Sequence, residues 1–216
     1  MMKAELLSIF GDDDMVVDCA RVSFSKHHSQ YTPEQNARLI TYLAKHKHVT
    51  PFFHPQAQFR ITAPLFVARQ WFRSTVGVAR SEVSRRYVDD EPTFWEPTAW
   101  RMRPEGSVKQ GSGAPASELL RASADYDLRE VHRLALSAYH RLLRFGIAPE
   151  QARTVLPQSM ETQWVETGSL AYFARICAQR LDAHAQQEIQ QLARQVADKL
   201  GPAFPISWTA LMEYSV

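Results

Sequence analysis

Cysteine is scarce in this chain. Cys19 and Cys177, 158 positions apart, are the only two among 216 residues, and neither sits in a C-x-x-C pair. A zinc knuckle and a disulfide framework are thereby excluded, and a reducing cytosol is the expected setting. No apolar run approaches the roughly 18 residues of a membrane span. The opening MMKAELLSIFGDDD turns acidic where a secretory signal needs an apolar stretch and a cleavage site, so a soluble, cytoplasmic protein is expected. Net charge is scarce too. Lys plus Arg number 25 against 23 acids, a formal +2, which argues against a protein that coats nucleic acid or an anionic membrane. Neither G-x-x-x-x-G-K-S/T, G-x-G-x-x-G nor G-x-S-x-G occurs, so the Gly-rich stretch at 106–113 is no recognisable phosphate cradle and no nucleophile elbow exists.

What is present suits one sizeable globular domain, with 45% hydrophobic and 22% charged side chains. Lys3 to Phe10 reads as a strand closed by Gly-Asp-Asp-Asp, and 15–24 is apolar-rich without a clear period. Pro33 to Lys47 reads as a helix, with Pro33 in its first turn and Leu39, Ile40 and Leu43 at helical spacing. Gln56 to Thr62 alternates as a half-buried strand. Pro64 opens a helix, LFVARQWFR, and 83–94 suits extended chain. Pro104 to Pro115 is a Gly/Pro/Ser-rich loop able to act as a lid. Glu118 to Phe145 is a long helix ended by Gly146, and Pro149 starts a short helix that stops before Pro157. Gln158 to Val165 reads as a strand; Gly168 to Gln179 and His184 to Leu200 read as helices, the last stopped by Gly201-Pro202. Without repeats or a long linker, residues 1–216 are expected to form a single α+β domain with a mixed, mainly antiparallel sheet and long helices.

Arginine outnumbers lysine 19 to 6, a bias toward forked recognition of phosphate or carboxylate that a GC-rich genome would also produce. The bias concentrates between Arg60 and Tyr87, where six arginines face one acid, Glu82, for a local charge of +5. Arg69 and Arg73, four apart, share a helical face beside Trp71 and Phe72. In extended form 81–87 would set Glu82, Ser84 and Arg86 on one side, an acid, a hydroxyl and a guanidinium able to clamp a small phosphorylated ligand. On spacing alone, a solvated basic face with ordinary ion pairs is the competing reading. Arg153 lies near a short helix and Arg180 at a helix break. Asp182 reads as the cap of a helix beginning near His184, where His184 and Glu188 would share a face. His27, His28, His46, His48 and His54 are irregularly spaced without acidic or Cys partners, so no metal site is expected. Cys177 falls in an apolar helical run and Cys19 in a similar setting, so both read as inert thiols.

These segments, taken in order, resemble the flavin-dependent thymidylate synthases, in particular their phage-type members. The likeness runs through Ala20-Arg21-Val22-Ser23-Phe24, His48-Val49-Thr50-Pro51-Phe52-Phe53-His54, Pro64 through Tyr87, Ala152 through Pro157 and Arg180 through Ile189. It implies a homotetrameric α+β enzyme with sites built from several subunits, in the host cytoplasm if phage-encoded. The reaction implied is conversion of dUMP to dTMP with FAD, NADPH and methylenetetrahydrofolate. No enzyme nucleophile is needed, since reduced flavin relays the one-carbon unit and supplies hydride.

Carried over position by position, the resemblance implies that Gln70, Arg73, Glu82, Ser84, Arg86, Arg153 and Arg180 bind dUMP, with Arg180 and Ser84 catalytic. It places Ser23, His48, Thr50, Arg73, Ser74, Thr75, Ser169, Arg175 and His184 on the FAD side. The chain departs from the family where Arg-His-Arg, seven residues, then Ser becomes Arg73-Ser74-Thr75, eight residues, then Ser84. Two expected donors to the FAD phosphates are thereby lost, and Arg80 or Arg85 are the candidates to replace them. Phe53 stands where an acid is common, and Ser169, Ala171 and Arg175 stand at or near positions of familiar Asn and Arg. Two alternatives stay open: a flavin-dependent dUMP hydroxymethylase, and a flavin-free nucleotide-binding homologue that kept the arginines.

Overall fold

The computed structural model describes residues 2–88, 90–104 and 111–214. Strand β1 (Lys3–Phe10) leads to helices α1 (Asp13–Arg21) and α2 (Pro33–Lys45), then β2 (Gln56–Pro64), α3 (Leu65–Trp71) and β3 (Val78–Glu82). The second half holds α4 (Glu118–Arg144), α5 (Pro149–Ala152), β4 (Glu161–Ser169), α6 (Leu170–Arg180), α7 (Gln187–Ala203) and α8 (Pro205–Tyr214). The strands bond in the order β1-β2-β4-β3 as an antiparallel sheet, so the architecture is α+β.

Capping chemistry sets the helix starts. Asp12 accepts from Met15 N at α1, and Thr32 forms a capping box with Gln35 ahead of Pro33 at α2. Asp13 reaches across to α8, its two carboxylate oxygens each 2.9 Å from the backbone N of Ile206 or Ser207. Two unpaired donors of a helix start are thereby satisfied by one side chain.

Several boundaries differ from those expected. The strand expected at 158–165 runs Glu161–Ser169, because a turn closed by Met160 N to Pro157 O consumes its first residues. Helix α7 continues through Gly201-Pro202: Phe204 N donates to Leu200 O, so the proline costs only one bond in the last turn. Helix α8, mainly apolar and without a helical stripe, went unread. The start expected at His184 shifts to Gln187, so Asp182 caps a turn instead, accepting from His184 N at 2.7 Å. His184 and Glu188 therefore share no helical face. Of the expected loop Pro104–Pro115, residues 105–110 lie outside the described residues.

Contacts gather the described residues into two compact units. One comprises Thr62–Gln70 and Glu82–Trp164 with Met2; the other comprises Lys3–Ile61, Trp71–Ser81 and the chain from Val165 onward. The first has its core in Val67, Ala68, Tyr139 and Trp164, all at most 1% exposed. Its α4 is sparsely covered: among the helix's described residues only His132 and Tyr139 are buried. The second has a larger core, including Phe52, Phe59, Ile61, Trp71, Phe173, Ile176 and Leu192, over which α2 packs on α8 and α6 on α7.

Candidate active site

Within the first unit a cavity of about 820 Å3 is lined by Arg69 from α3, Glu82 from the end of β3, Ser84 and Arg85 just beyond it, Arg153, and Thr162 and Gln163 of β4. Three guanidinium groups face two carboxylates there, Glu82 and Glu161. Glu82 is held in place by Thr162, whose Oγ1 donates to its Oε1 at 2.7 Å. An oriented carboxylate, a half-buried hydroxyl and cations in one hollow suit a polar anion of nucleotide size.

The extended reading of 81–87 fails after Ser84. Strand β3 stops at Glu82, and Ser84 O takes Tyr87 N at 3.1 Å and Val88 N at 3.2 Å, making a turn. Arg86 therefore does not follow Glu82 and Ser84 along one strand face. It goes to Glu150, Nε to Oε2 at 3.2 Å, and stacks over Tyr87 with its guanidinium carbon 5.3 Å from the ring centre. Arg153 bonds the backbone of the same residue, Nε to Glu150 O at 3.2 Å. Gln70 is half-buried in α3, whose last helical residue is Trp71, so Arg73 lies beyond the helix that was to share a face between it and Arg69.

The second unit carries the other expected residues. Arg180 ends α6; burial and the charge of Arg73 pull its guanidinium below the usual arginine range. A half-buried guanidinium crowded by a second, exposed cation is what a bound anion relieves. Beside them, Arg73 and Thr75 are exposed and Ser74 half-exposed. A guanidinium and two accessible hydroxyls make a donor set that fits a phosphate-bearing group such as FAD. Ser23, His48 and Thr50 are also exposed, among the apolar side chains of Val22, Phe24 and Val49. Polar donors interleaved with apolar surface suit a polar, ring-bearing ligand.

Other expected FAD contacts are engaged within the chain. Ser169 Oγ accepts from Tyr172 N as the cap of α6, Arg175 Nη2 donates to Val76 O at 2.8 Å, and His184 Nδ1 lies 3.1 Å from Asp182 Oδ1. Of the two candidate replacements for the lost phosphate donors, Arg85 donates to the Asp90 carbonyl. Arg80 is engaged at three points: Nε to Glu166 Oε2 at 2.8 Å, and Nη2 to Ser74 O at 2.7 Å and Tyr172 Oη at 2.6 Å. Nε and Nη2 are thus taken by acceptors of the protein, which limits Arg80 as a phosphate donor.

Glu166 escaped the sequence reading, although a signal existed. In β4 the buried positions are Thr162, Trp164, Glu166, Gly168 and the terminal Ser169, and a carboxylate in the inward register of a strand demands a cation and donors. Asp18 was missed for a different reason. It takes His28 Nδ1 at 2.7 Å and His27 Nε2 at 3.0 Å on one oxygen, supplying the acidic partner those histidines lack in sequence. The ligand atoms of the three residues all lie within 4.8 Å of one another. Cys177 is buried, its thiol pushed far up by burial and then by Glu166. Cys19 is only half-buried, and burial followed by Asp18 raises it too.

Among the described residues no helix is long and apolar enough to cross a membrane. The family model for thymidylate synthase complementing protein matches residues 5–206. A flavin-dependent thymidylate synthase of Thermus thermophilus is 36% identical over 209 residues, 97% of this chain and 75% of that protein. One from Thermosipho africanus is 34% identical over 210 residues, 97% of this chain and 90% of its own length. Among solved structures, the UMP/dUMP methylase PolB from Streptomyces cacaoi bound with 5-Br dUMP aligns with a TM-score of 0.87 at 28% identity, covering 99% of this chain and 96% of that one. Matched nearly end to end by the family model and by relatives of this identity, the chain belongs to the thymidylate synthase complementing protein family.

Proposed function

We propose that the chain is a flavin-dependent thymidylate synthase, methylating dUMP reductively to dTMP with methylenetetrahydrofolate as carbon donor, NADPH as reductant and FAD as cofactor. The relatives' names and the likeness to a dUMP methylase support this activity over the alternatives. The carrying observation within the chain is the cavity that gathers Arg69, Glu82, Ser84, Arg85 and Arg153. The guanidinium groups neutralise the nucleotide phosphate, while Glu82 and Ser84 offer an acceptor and a hydroxyl to the pyrimidine edge. Arg86, held beside Arg153 through Glu150, is the second phosphate arm. Gln70 contributes an amide from α3.

Arg73 is the cation on the flavin side, with Ser74, Thr75, Ser23, His48 and Thr50 as accessible donors, and its charge is felt by Arg180 of the dUMP set. FAD, when bound, supplies the redox chemistry that no side chain here provides. The protein binds, orients and polarises, and the two residues proposed as catalytic, Ser84 in the first unit and Arg180 in the second, act by position and charge. Inert cysteines fit such a mechanism, which needs no enzyme nucleophile.

The assembly proposed is a homotetramer of single-domain chains. Exposed apolar side chains along α4, with Leu119 81%, Tyr126 67% and Leu134 57% exposed, support a face covered by another subunit. The eight-residue spacing before Ser84 supports the phage type, and a cytoplasmic setting suits the two reduced cysteines.

The purified protein is expected to be yellow or to become so with FAD, and dUMP is expected to perturb the flavin spectrum. With NADPH and methylenetetrahydrofolate, dUMP should gain the mass of one methylene group. Protein that takes up no FAD and leaves dUMP unchanged would refute the reading.

A further inference from the structure

We propose that Arg80 is a positioning residue: anchored on buried Glu166, it sets the backbone of segment 73–77 and thereby seats the flavin phosphates that the altered Arg73-Ser74-Thr75 motif must bind. The inference rests on the functional reading above and assigns a role to two residues outside the carried-over site.

The anchor comes first. Glu166 is 0% exposed, so its carboxylate must be compensated within the protein. Trp71 Nε1 donates to Oε1 at 2.8 Å and Arg80 Nε to Oε2 at 2.8 Å. The Arg80 side chain, itself only 15% exposed, lies with its guanidinium carbon 5.0 Å from the Phe72 ring centre and 5.6 Å from that of Tyr172. A planar fork near two rings and bonded at Nε and Nη2 has little freedom to turn.

The held segment comes next. Arg80 Nη2 takes the Ser74 carbonyl at 2.7 Å, Arg175 Nη2 takes that of Val76 at 2.8 Å, and Ser169 N takes that of Gly77 at 2.9 Å. Three carbonyls out of four consecutive residues are thus bonded to donors of the protein. Carbonyl oxygens repel an anion, so a segment that receives phosphate must have them occupied elsewhere. Glu166 meanwhile neutralises Arg80, while Arg73 within the segment and Arg175, bonded to a carbonyl, still carry charge toward a ligand. Arg80 therefore acts through the segment's shape and not by touching the phosphate.

The test compares wild type with Arg80→Gln and Arg80→Lys. FAD affinity is read by quenching of flavin fluorescence, dUMP affinity by calorimetry without FAD, and amide exchange over 73–77 by mass spectrometry. Arg80→Gln is expected to weaken FAD about tenfold or more, leave dUMP within about twofold and speed exchange over 73–77. Arg80→Lys, which keeps the charge and loses the fork, should recover part of the FAD affinity. Wild-type FAD affinity in Arg80→Gln, or equal weakening of both ligands, overturns the proposal. If Arg80→Gln does not fold, Arg80→Lys decides alone: wild-type FAD affinity and exchange in it overturn the proposal, and weaker FAD with faster exchange supports it. If wild type itself takes up no FAD, the functional reading fails, while unchanged exchange over 73–77 separately refutes the positioning role.

Discussion

Arg86 is held by Glu150, Nε to Oε2 at 3.2 Å, and Glu150 in turn offers its backbone carbonyl to Arg153 at 3.2 Å. One acid thus ties the two arginines expected to receive the substrate phosphate. Arg86→Ala and Arg153→Ala should each weaken dUMP binding by about 1.5 to 3 kcal/mol, the scale of a hydrogen bond to a charged group. Glu150→Gln should tighten dUMP by a few tenths to about 1 kcal/mol, since the phosphate no longer competes with a half-exposed carboxylate. Calorimetric titration of the three variants checks both signs; unchanged affinity in both alanine variants removes these arginines from the site.

Glu166 faces a larger energetic test because it is fully buried. Glu166→Ala strands the Arg80 guanidinium, and loss of one member of such a pair costs about 3 to 5 kcal/mol. Paired replacement by apolar residues of similar volume, Arg80→Met with Glu166→Leu, should recover only part of that, because the buried Trp71 indole N–H loses its acceptor. Urea unfolding by circular dichroism measures both. A loss under about 1 kcal/mol in Glu166→Ala would show that solvent reaches this carboxylate.

The Asp18 and His28 pair sets a pH window. The hydrogen bond to Asp18 raises His28 above its ordinary value against the opposing effect of burial. For Asp18 burial pushes upward, but the bonds from His28 prevail and hold it below the usual carboxylate value. The stabilisation from His28 is full below its unfolded-state value and is lost as pH rises through its raised folded-state value. That from Asp18 is full above the ordinary carboxylate value and lost as pH falls through the depressed one. Melting temperature followed across pH should show both flanks in wild type and lose this contribution in Asp18→Asn. Identical profiles would remove the pair from the balance.

Gly77 adopts φ +83, and an added Cβ would lie 2.9 Å from Ser169 Oγ and 3.0 Å from Phe53. Gly77→Ala should cost about 1 to 3 kcal/mol from the left-handed backbone and the crowded contact. Thermal unfolding measures the loss. A variant as stable as wild type would mean that the 74–77 turn relaxes freely.

Legibility followed locality. Pro33 with Leu39, Ile40 and Leu43 announces α2, and the alternation through Ala57, Phe59 and Ile61 announces β2, because first-turn prolines and periods are written in neighbouring residues. The turn after Ser84 was not legible: Ser84-Arg85-Arg86-Tyr87 carries no Gly or Pro, and an extended continuation was equally compatible with its side chains. Helix α8 stayed hidden because it lacks an amphipathic stripe, and part of its start is capped by Asp13, 193 positions away for Ile206.

The site divides along the same line. Order and identity of the motifs pointed to the family and to an arginine-rich nucleotide site, since charge, hydroxyl and fork chemistry belong to single residues. Which arginine binds a ligand and which holds the frame was decided only in three dimensions. Arg69, Arg85 and Arg153 line a cavity while Arg80 is consumed by Glu166, 86 positions away. The physical reason is that a guanidinium has the same donors in every sequence context, and only folding determines whether buried acceptors reach them before a ligand can.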